Sequence, residues 1–460
     1  MNITILEKIK LATQKSNPEL LKINSKAHKK EHRIVLKNYG IIDPENINHY
    51  IAKDGYFGLY KALTTMSQED VINEITISNL RGRGGVGFPT GLKWKYALGN
   101  KSANKYVVCN ADEGEPGTFM DRHILEGDPH NNIEGMAIAG YAIGASKGYI
   151  YIRAEYPLAA KRLQKAINDA KELGILGDNI FDTNFSFNIE IRLGAGAFIC
   201  GEETALLESI EGKRGLSRNK PPFPAEKGLF NEPTIINNVE TIANIPEIIN
   251  KGGLWFSKIG TLKSSGTKVF SLSGKTVNRG IFEVPMGISL REIIYDIGGG
   301  MLKGSTFKAA YTGGPSGGIL TEKHLDEIID FDSLVKHGSI MGSGGIIIAD
   351  QTNCVIDTIK HFMKFNADES CGKCTPCREG TTILYNILDN ISKGLSSMEE
   401  LEKLKHLSKI VSTTSLCGLG QAAPSPIYSA LEHFYSEFID HIQNKTCKAN
   451  VCNIHEQGGN

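Results

Sequence analysis

The sequence predicts an α/β protein: a domain on a largely parallel sheet, then a small α+β unit, then a helical C-terminal part. Three observations carry this. Short apolar runs alternate with helical stretches between residues 106 and 251. A hairpin pattern with a helix across it follows. From Asp350 onward the apolar spacing is helical and breaks only at cysteines. With 460 residues the chain is long enough for two to four domains.

In order, residues 1–60 read as a polar helical arm with a Lys/His-rich patch at His28–Arg33, a solvated arm expected to pack on the body or on a partner. Val71, Ile72, Ile75 and Ile77 give residues 67–80 helical spacing. Tyr106–Cys109 is a buried strand that delivers the polar run Asn110 to Gly117 at its C-terminal end, the usual place for an α/β site. A helix follows over 133–145, a strand over 149–156, and a helix over 157–173 with proline at its start. The next strand, 187–193, runs into a Gly/Ala-rich loop ending at Glu202-Glu203, then a helix over 204–211. The proline-rich loop 213–228 is followed by a helix from about Asn237 to Lys251. Residues 268–273 and 281–284 read as the hairpin, with a helix over 289–298. Helices are expected up to Ile391, over 398–414 and over 431–443. The boundaries drawn from these patterns are 1–60, 61–252, 253–335, 336–440 and a Cys/His tail 441–460.

Charge balances at 51 Lys+Arg against 51 Asp+Glu, so no global field argues for nucleic acid or an anionic membrane. No apolar run reaches the roughly 20 residues of a membrane span. The N-terminus has no apolar signal core, and the expectation is a cytoplasmic protein whose membrane link, if any, runs through partners. Most of the nine cysteines cluster in the last fifth of the chain, which suggests a metal before disulfides.

Two motifs carry chemistry. Arg81 to Tyr96 reads RGRGGVGFPTGLKWKY. Glycines at 82, 84, 85 and 87 free backbone N–H groups for an anion and let a flat ligand approach the main chain. Arg83, Lys93 and Lys95 add charge, and Phe88, Trp94 and Tyr96 add flat faces, a combination suited to a nucleotide or flavin. The G-x-G-x-x-G pattern alone is weak: a helical pattern precedes it rather than a strand, and no Walker A lysine follows. A glycine-rich surface loop is the plain alternative. The second motif, Cys371-x-x-Cys374-x-x-Cys377 with Cys417 as a distant fourth, suits a [4Fe–4S] cluster, with zinc as the alternative. A cluster moves one electron at a time and nicotinamide gives two as hydride, so a flavin between them reconciles the two motifs.

GRGGVGFPTGLKWKY, CNADEGEPGTF, GAGAFICGEETAL, NKPPFPA, NNVET, ESCGKCTPCREGT and SLCGLGQ occur in this order. They closely resemble the NADH-oxidising flavoprotein subunit of complex I and its relatives, the flavin subunits of NAD-linked hydrogenases, including electron-bifurcating ones, and of formate dehydrogenases. The resemblance spans about residues 50 to 435. It implies an FMN-binding, Rossmann-like domain over 61–252, a β-grasp domain over 253–335 and a helical bundle over 336–440 carrying one [4Fe–4S] cluster. It sets FMN against Gly82, Arg83, Gly84, Lys93, Asn110, Asp112, Glu113, Gly201, Glu202, Asn237, Asn238 and Thr241. NADH is implied against Gly85, Phe88, Lys93, Tyr96, Glu115, Glu202, Glu203, Lys220 and Phe223, with Phe198 where the family often has Tyr. Glu203 beside a ribose would favour NAD over NADP. No general acid or base is called for, because hydride passes directly to the flavin.

The implied partners are a thioredoxin-like [2Fe–2S] subunit and a further iron–sulfur, hydrogenase, formate-dehydrogenase or quinone-module subunit, with ferredoxin in a bifurcating assembly. The segment after Cys417, Gly-Leu-Gly-Gln-Ala-Ala-Pro-Ser-Pro, resembles the hydrogenase and formate-dehydrogenase relatives more than respiratory complex I. The tail Cys447-x4-Cys452-x2-His455 is a candidate zinc site with its fourth ligand from elsewhere, the alternative being an unliganded tail. Cys109, Cys200 and Cys354 read as buried thiols. The non-enzymatic alternative is a zinc-bound scaffold that has lost its flavin.

Overall fold

The structure, a computed structural model, describes residues 3–21 and 27–454. The chain forms two compact units. The first comprises residues 1–114, 119–269 and 281–287, and the second residues 115–118, 270–280 and 288–460. The boundary expected near residue 335 therefore falls inside the second unit.

The first unit is built on four parallel strands, β1 (Tyr106–Ala111), β2 (Lys147–Arg153), β3 (Asn188–Gly194) and β4 (Thr234–Asn238), in the order β3-β2-β1-β4. The chain leaves β1 to one side for β2 and β3, then returns to the other side for β4. That reversal makes the C-terminal ends of β1 and β4 a topological switch point, where open α/β sheets bind ligands. The register sets Asn110 of β1 beside Asn238 of β4 across it.

The helix Pro129–Ile143 packs on β1 and β2 and is buried on nearly every side, as its apolar and small residues dictate. Gly135 is required where the main chain of Ile242 comes close: a Cβ there would lie 2.4 Å from the Ile242 carbonyl oxygen. Glu134, fully buried on this helix, accepts hydrogen bonds from Tyr56 N (2.7 Å), Leu59 N (3.0 Å) and the Tyr50 hydroxyl. It thereby satisfies the start of the helix Phe57–Thr65, which has no side-chain cap of its own.

The N-terminal arm packs on the body of the first unit, as expected, and does so through apolar residues and a buried carboxylate. Leu6, Ile34, Val35 and Leu36 are buried, and the backbone N–H groups of Ile34, Val35 and Leu36 donate to the Glu283 carboxylate at 2.8–3.0 Å. A carboxylate 249 residues away in sequence was needed to order it, so local pattern could not reveal it.

The second sheet contains β5 (Thr267–Gly274), β6 (Gly280–Pro285), β7 (Phe307–Thr312), β8 (Gly318–Leu320) and β9 (Gly345–Asp350) in the order β6-β5-β9-β7-β8, with β5 parallel to β9 and the pairs β9–β7 and β7–β8 antiparallel. The helix expected over 289–298 is a π-helix at Glu292–Ile297, closed by Gly298 N–H to the Ile293 carbonyl at 2.9 Å. The helical part contains Val355–Asp368, Thr375–Ser392, Met398–Thr414, Gly418–Ala422, Ser425–His433 and Tyr435–Ile442. The single helix expected over 431–443 is two, because Phe434 leaves helical dihedrals (φ −133°, ψ 33°). Among the described residues no helix is long and apolar enough to cross a membrane.

Glu134→Ala would strand three buried donors and is expected to destabilise the first unit by ~3 kcal/mol. Glu134→Gln, which keeps one acceptor oxygen, should cost less. Denaturation followed by tryptophan fluorescence checks this, since both tryptophans, Trp94 and Trp255, lie in the first unit.

Candidate functional site

Side-chain hydrogen bonds build the crevice at the β1/β4 switch point. Asn110 donates to the Gly201 carbonyl (2.9 Å) and accepts from Asp112 N–H (3.1 Å), pinning two loops to the end of β1. Asn238 caps the helix Val239–Lys251 by accepting from Thr241 N–H, and it donates to Asp121 Oδ2 at 2.6 Å. Asn237 accepts from the indole N–H of Trp94 (3.0 Å). Trp94 is therefore core and offers no face to a ligand, contrary to expectation; it is fully buried.

The glycine loop is a closed turn. Gly82 N–H donates to the Phe88 carbonyl and Thr90 N–H to the Leu80 carbonyl, both at 2.9 Å. Arg83 N–H donates to Thr241 Oγ1 (2.8 Å), fastening the loop to the helix after β4. The Arg83 guanidinium is fully buried and donates to the carbonyls of Arg81, Ser265 and Thr267. Burial lowers it to about 10. It anchors the loop, and its charge is not the one offered to a ligand.

Gly84 packs so closely on Asn238 that a Cβ would lie 2.9 Å from the Asn238 Cβ. Gly85, at φ +142°, faces open space, with no atom within 4 Å of where its Cβ would be. The loop feeds straight into the helix Thr90–Gly99, whose first turn has no side-chain cap. The Thr90 and Lys93 N–H groups there are taken by the Leu80 and Pro89 carbonyls (2.9 and 3.3 Å), and the positive side chain of Lys93 in the first turn suits a phosphate.

Lys93 begins a chain of alternating charge. Its ammonium donates to the Ile236 carbonyl (2.9 Å) and lies 3.8 Å from Glu203. Lys220 bridges Glu203 (2.6 Å) and Glu202 (3.0 Å). Burial lowers the Lys93 ammonium despite Glu203, and Lys220 adds to the lowering. Glu202 also caps the helix Glu203–Ile210, accepting from Thr204 and Ala205 N–H at 3.0 Å. Burial pushes its carboxyl up, but Thr204 and Lys220 outweigh that and leave it below its ordinary value. Phe88, Tyr96 and Phe223 each keep about half of their surface exposed (45%, 58% and 54%), leaving flat faces open to a ligand.

The acidic loop is not solvated. Asp112 and Glu113 are buried, and Glu113 accepts from the N–H groups of Asp121 (3.0 Å) and Arg122 (3.1 Å) and from the Tyr156 hydroxyl (3.2 Å). Glu115 belongs to the second unit, where its carboxylate lies against Gly314. Asp121 was missed; an acid in the first turn of the helix Met120–Gly127 reads from sequence as an ordinary helix start.

In the second unit Cys374 and Cys417 are N-cap residues of the helices Thr375–Ser392 and Gly418–Ala422, and Cys377 lies in the first turn of the former. Helix N-termini favour thiolates. Burial raises the Cys377 thiol to about 11, and Cys374, Cys417 and Cys371 all add to it, so the four sulfurs share one neighbourhood. Arg378 donates to the Gly372 carbonyl (2.7 Å), holding the Cys371–Cys374 loop on the helix.

A second sulfur set was only half legible. Cys447 and Cys452 gather with His441 and Cys354, their ligand atoms all within 4.8 Å of one another. His455, the expected partner, lies outside the described residues. Cys354 is thus not a bystander thiol. Its Sγ lies 3.5 Å from His441 Nε2 and 3.6 Å from Cys452 Sγ, while His441 Nδ1 meets the Glu437 carbonyl at 2.7 Å. That second contact fixes the ring as a metal-ligating histidine needs. Hydrogen bonds from Cys452 and His441 draw the Cys354 thiol down to about 4. His441 stands at helical spacing and Cys354 is nearly a hundred residues away, so spacing could not join them.

An open glycine cradle above parallel strand ends and thiols on helix N-termini belong to one class, the flavin and iron–sulfur electron-transfer subunits of oxidoreductases. Residues 75–247 match the family described as Nuo51 FMN-binding domain. Residues 357–441 match the NADH-ubiquinone oxidoreductase-F iron-sulfur binding region. The chain is 59% identical to the NADP-reducing hydrogenase subunit HndC of Solidesulfovibrio fructosivorans, over 92% of this chain and 86% of that one. It is 46% identical to a subunit of the NADH-quinone oxidoreductase of Rhizobium meliloti, over 90% of this chain and 98% of that one. A crystal structure of an NAD+-reducing [NiFe]-hydrogenase in the H2-reduced state superposes with a TM-score of 0.79 at 32% identity, covering 90% of this chain and 68% of that one. The chain belongs to the family of NADH-oxidising subunits with an FMN domain and a [4Fe–4S] region, found in complex I-like and hydrogenase assemblies.

Gly420 packs against this thiol neighbourhood: a Cβ would meet Ser415 at 2.5 Å and Cys377 Cβ at 3.0 Å. Gly420→Ala is expected to lose most of its iron while retaining flavin, measured by metal analysis and flavin absorbance.

Proposed function

We propose that Gly82, Gly84, Gly85, Lys93 and the start of the helix Thr90–Gly99 hold FMN, with Asn110, Asp112, Glu113, Gly201, Glu202, Asn237, Asn238 and Thr241 shaping the crevice. NADH enters against Phe88, Tyr96, Glu202, Glu203, Lys220 and Phe223. The observation that carries this is the open main chain at Gly85, ahead of an uncapped helix, beside the β1/β4 switch point. Bound flavin would accept hydride and release electrons singly. The chain's own work is alignment: Thr241 and Asn238 hold the loop, Lys93 supplies a point charge for a phosphate, and Glu203 accepts from ribose hydroxyls once Lys220 yields it. The protein, reconstituted anaerobically, should reduce ferricyanide with NADH; a preparation with neither flavin nor iron would overturn the reading.

Cys371, Cys374, Cys377 and Cys417 are assigned to the [4Fe–4S] cluster. A single zinc draws four sulfurs to ~3.8 Å of one another. Among the described residues the Cys354 set is the one gathered within 4.8 Å, which supports zinc there and a larger cluster at the other four. Metal analysis should find about four irons and one zinc per chain. His441→Ala should lose the zinc and keep the iron. Iron absent and zinc at the first set would favour the scaffold reading instead.

Glu203→Gln is expected to narrow the preference for NADH over NADPH by about tenfold, measured as the ratio of kcat/KM values, because a carboxylate repels a 2′-phosphate. Greater identity to a hydrogenase subunit (59%) than to a quinone-reductase subunit (46%) favours a hydrogenase-type, cytoplasmic assembly. A thioredoxin-like [2Fe–2S] subunit is the expected partner, and ferredoxin is expected if the assembly bifurcates. Isolation of the native complex and identification of its subunits tests this.

A further inference from the structure

Glu113 and Asp121 are two buried carboxyls on the wall of the crevice. Glu113 closes the first turn of the helix Met120–Gly127 through the Asp121 and Arg122 N–H groups. Asp121 lies one hydrogen bond behind Asn238, whose Cβ packs on Gly84. Their surroundings do not neutralise both. Lys268, the cation that opposes the rise at Asp121, is itself paired with the buried Glu240; Arg122 is exposed and stacks over Tyr156; Arg153 reaches the Glu113 carbonyl (3.3 Å) and pairs with Glu155. Cys109, behind Asp121, is an uncharged buried thiol.

Hydride transfer places a negative charge on the flavin, and once NAD+ leaves the crevice holds one more net negative charge. Two carboxyls crowded together in low dielectric answer a nearby negative charge by binding a further proton. We propose, on the flavin reading above, that the Glu113–Asp121 pair takes up one proton from solvent when NADH reduces the flavin and releases it as the electrons leave. The balance closes: NADH, FMN, one proton and the pair yield NAD+, FMNH− and the protonated pair. Loss of two electrons to the cluster then returns FMN, and two protons depart, one from the ring and one from the pair. Burial raises Glu113 to about 6 against its N–H and Tyr156 donors, and burial with Glu113 and Glu240 raises Asp121 well above its ordinary value, opposed by Lys268. The pair thus sits where a further negative charge changes its occupancy near neutral pH.

The test is the two-electron midpoint potential of the flavin in the holoprotein as a function of pH. One proton per two electrons gives ~30 mV per pH unit, and two give ~59 mV. In the range above about pH 6 the wild type should follow the steeper slope, and Asp121→Asn and Glu113→Gln the shallower one. Difference infrared spectra of the reduced and oxidised wild type should contain a carboxylic-acid band that both variants lose. A wild-type slope of ~30 mV throughout, or variants that keep ~59 mV, overturns the proposal. A wild type that binds no flavin would instead remove the reading on which it rests.

Discussion

The burial of Arg83 is the constraint on which the site depends. A guanidinium removed from water must find several acceptors, and it finds them in the carbonyls of Arg81, Ser265 and Thr267. Those bonds, with Thr241 at its backbone N–H, hold a glycine-rich segment that would otherwise be loose. Rigid main chain is what keeps the backbone at Gly85 open, with no atom within 4 Å of where a Cβ would stand.

Polar side chains in the crevice are mostly committed to one another. Asn110, Asn237 and Asn238 sit at the ends of β1 and β4, and each hydrogen-bonds to a loop or helix rather than standing free. Glu202 and Asn238 double as helix caps. The same bonds that satisfy helix ends therefore set the walls of the site, so stability and function rest on shared residues. The Lys93–Glu203–Lys220–Glu202 chain differs: it is part-exposed, and its ion pairs are the ones a charged ligand can exchange at small cost.

The two sulfur sets are assembled from the chain in different ways. One takes its ligands from a tight C-x-x-C-x-x-C turn plus one residue forty away, each near a helix N-terminus. The other takes Cys354 from the residue before one helix, His441 from another helix, and Cys447 and Cys452 from the segment after it. Those four side chains bring the start of one helix, a second helix and the segment after it to one place.

By itself the sequence determined the parallel alternation, the glycine loop, the acidic strand end and the cluster cysteines, because each is local: period, turn chemistry or ligand spacing within a few residues. It also determined that a helix, not a strand, leads into the glycine loop. Only the tertiary structure decided that Arg83 and Trp94 turn inward, that Glu283 orders the N-terminal arm, that Asp121 faces Glu113, and that Cys354 and His441 complete the second sulfur set. Each of these joins residues far apart in the chain, where the energy lies in satisfying a buried polar group or gathering a ligand set. No pattern along one segment records where its partner will be.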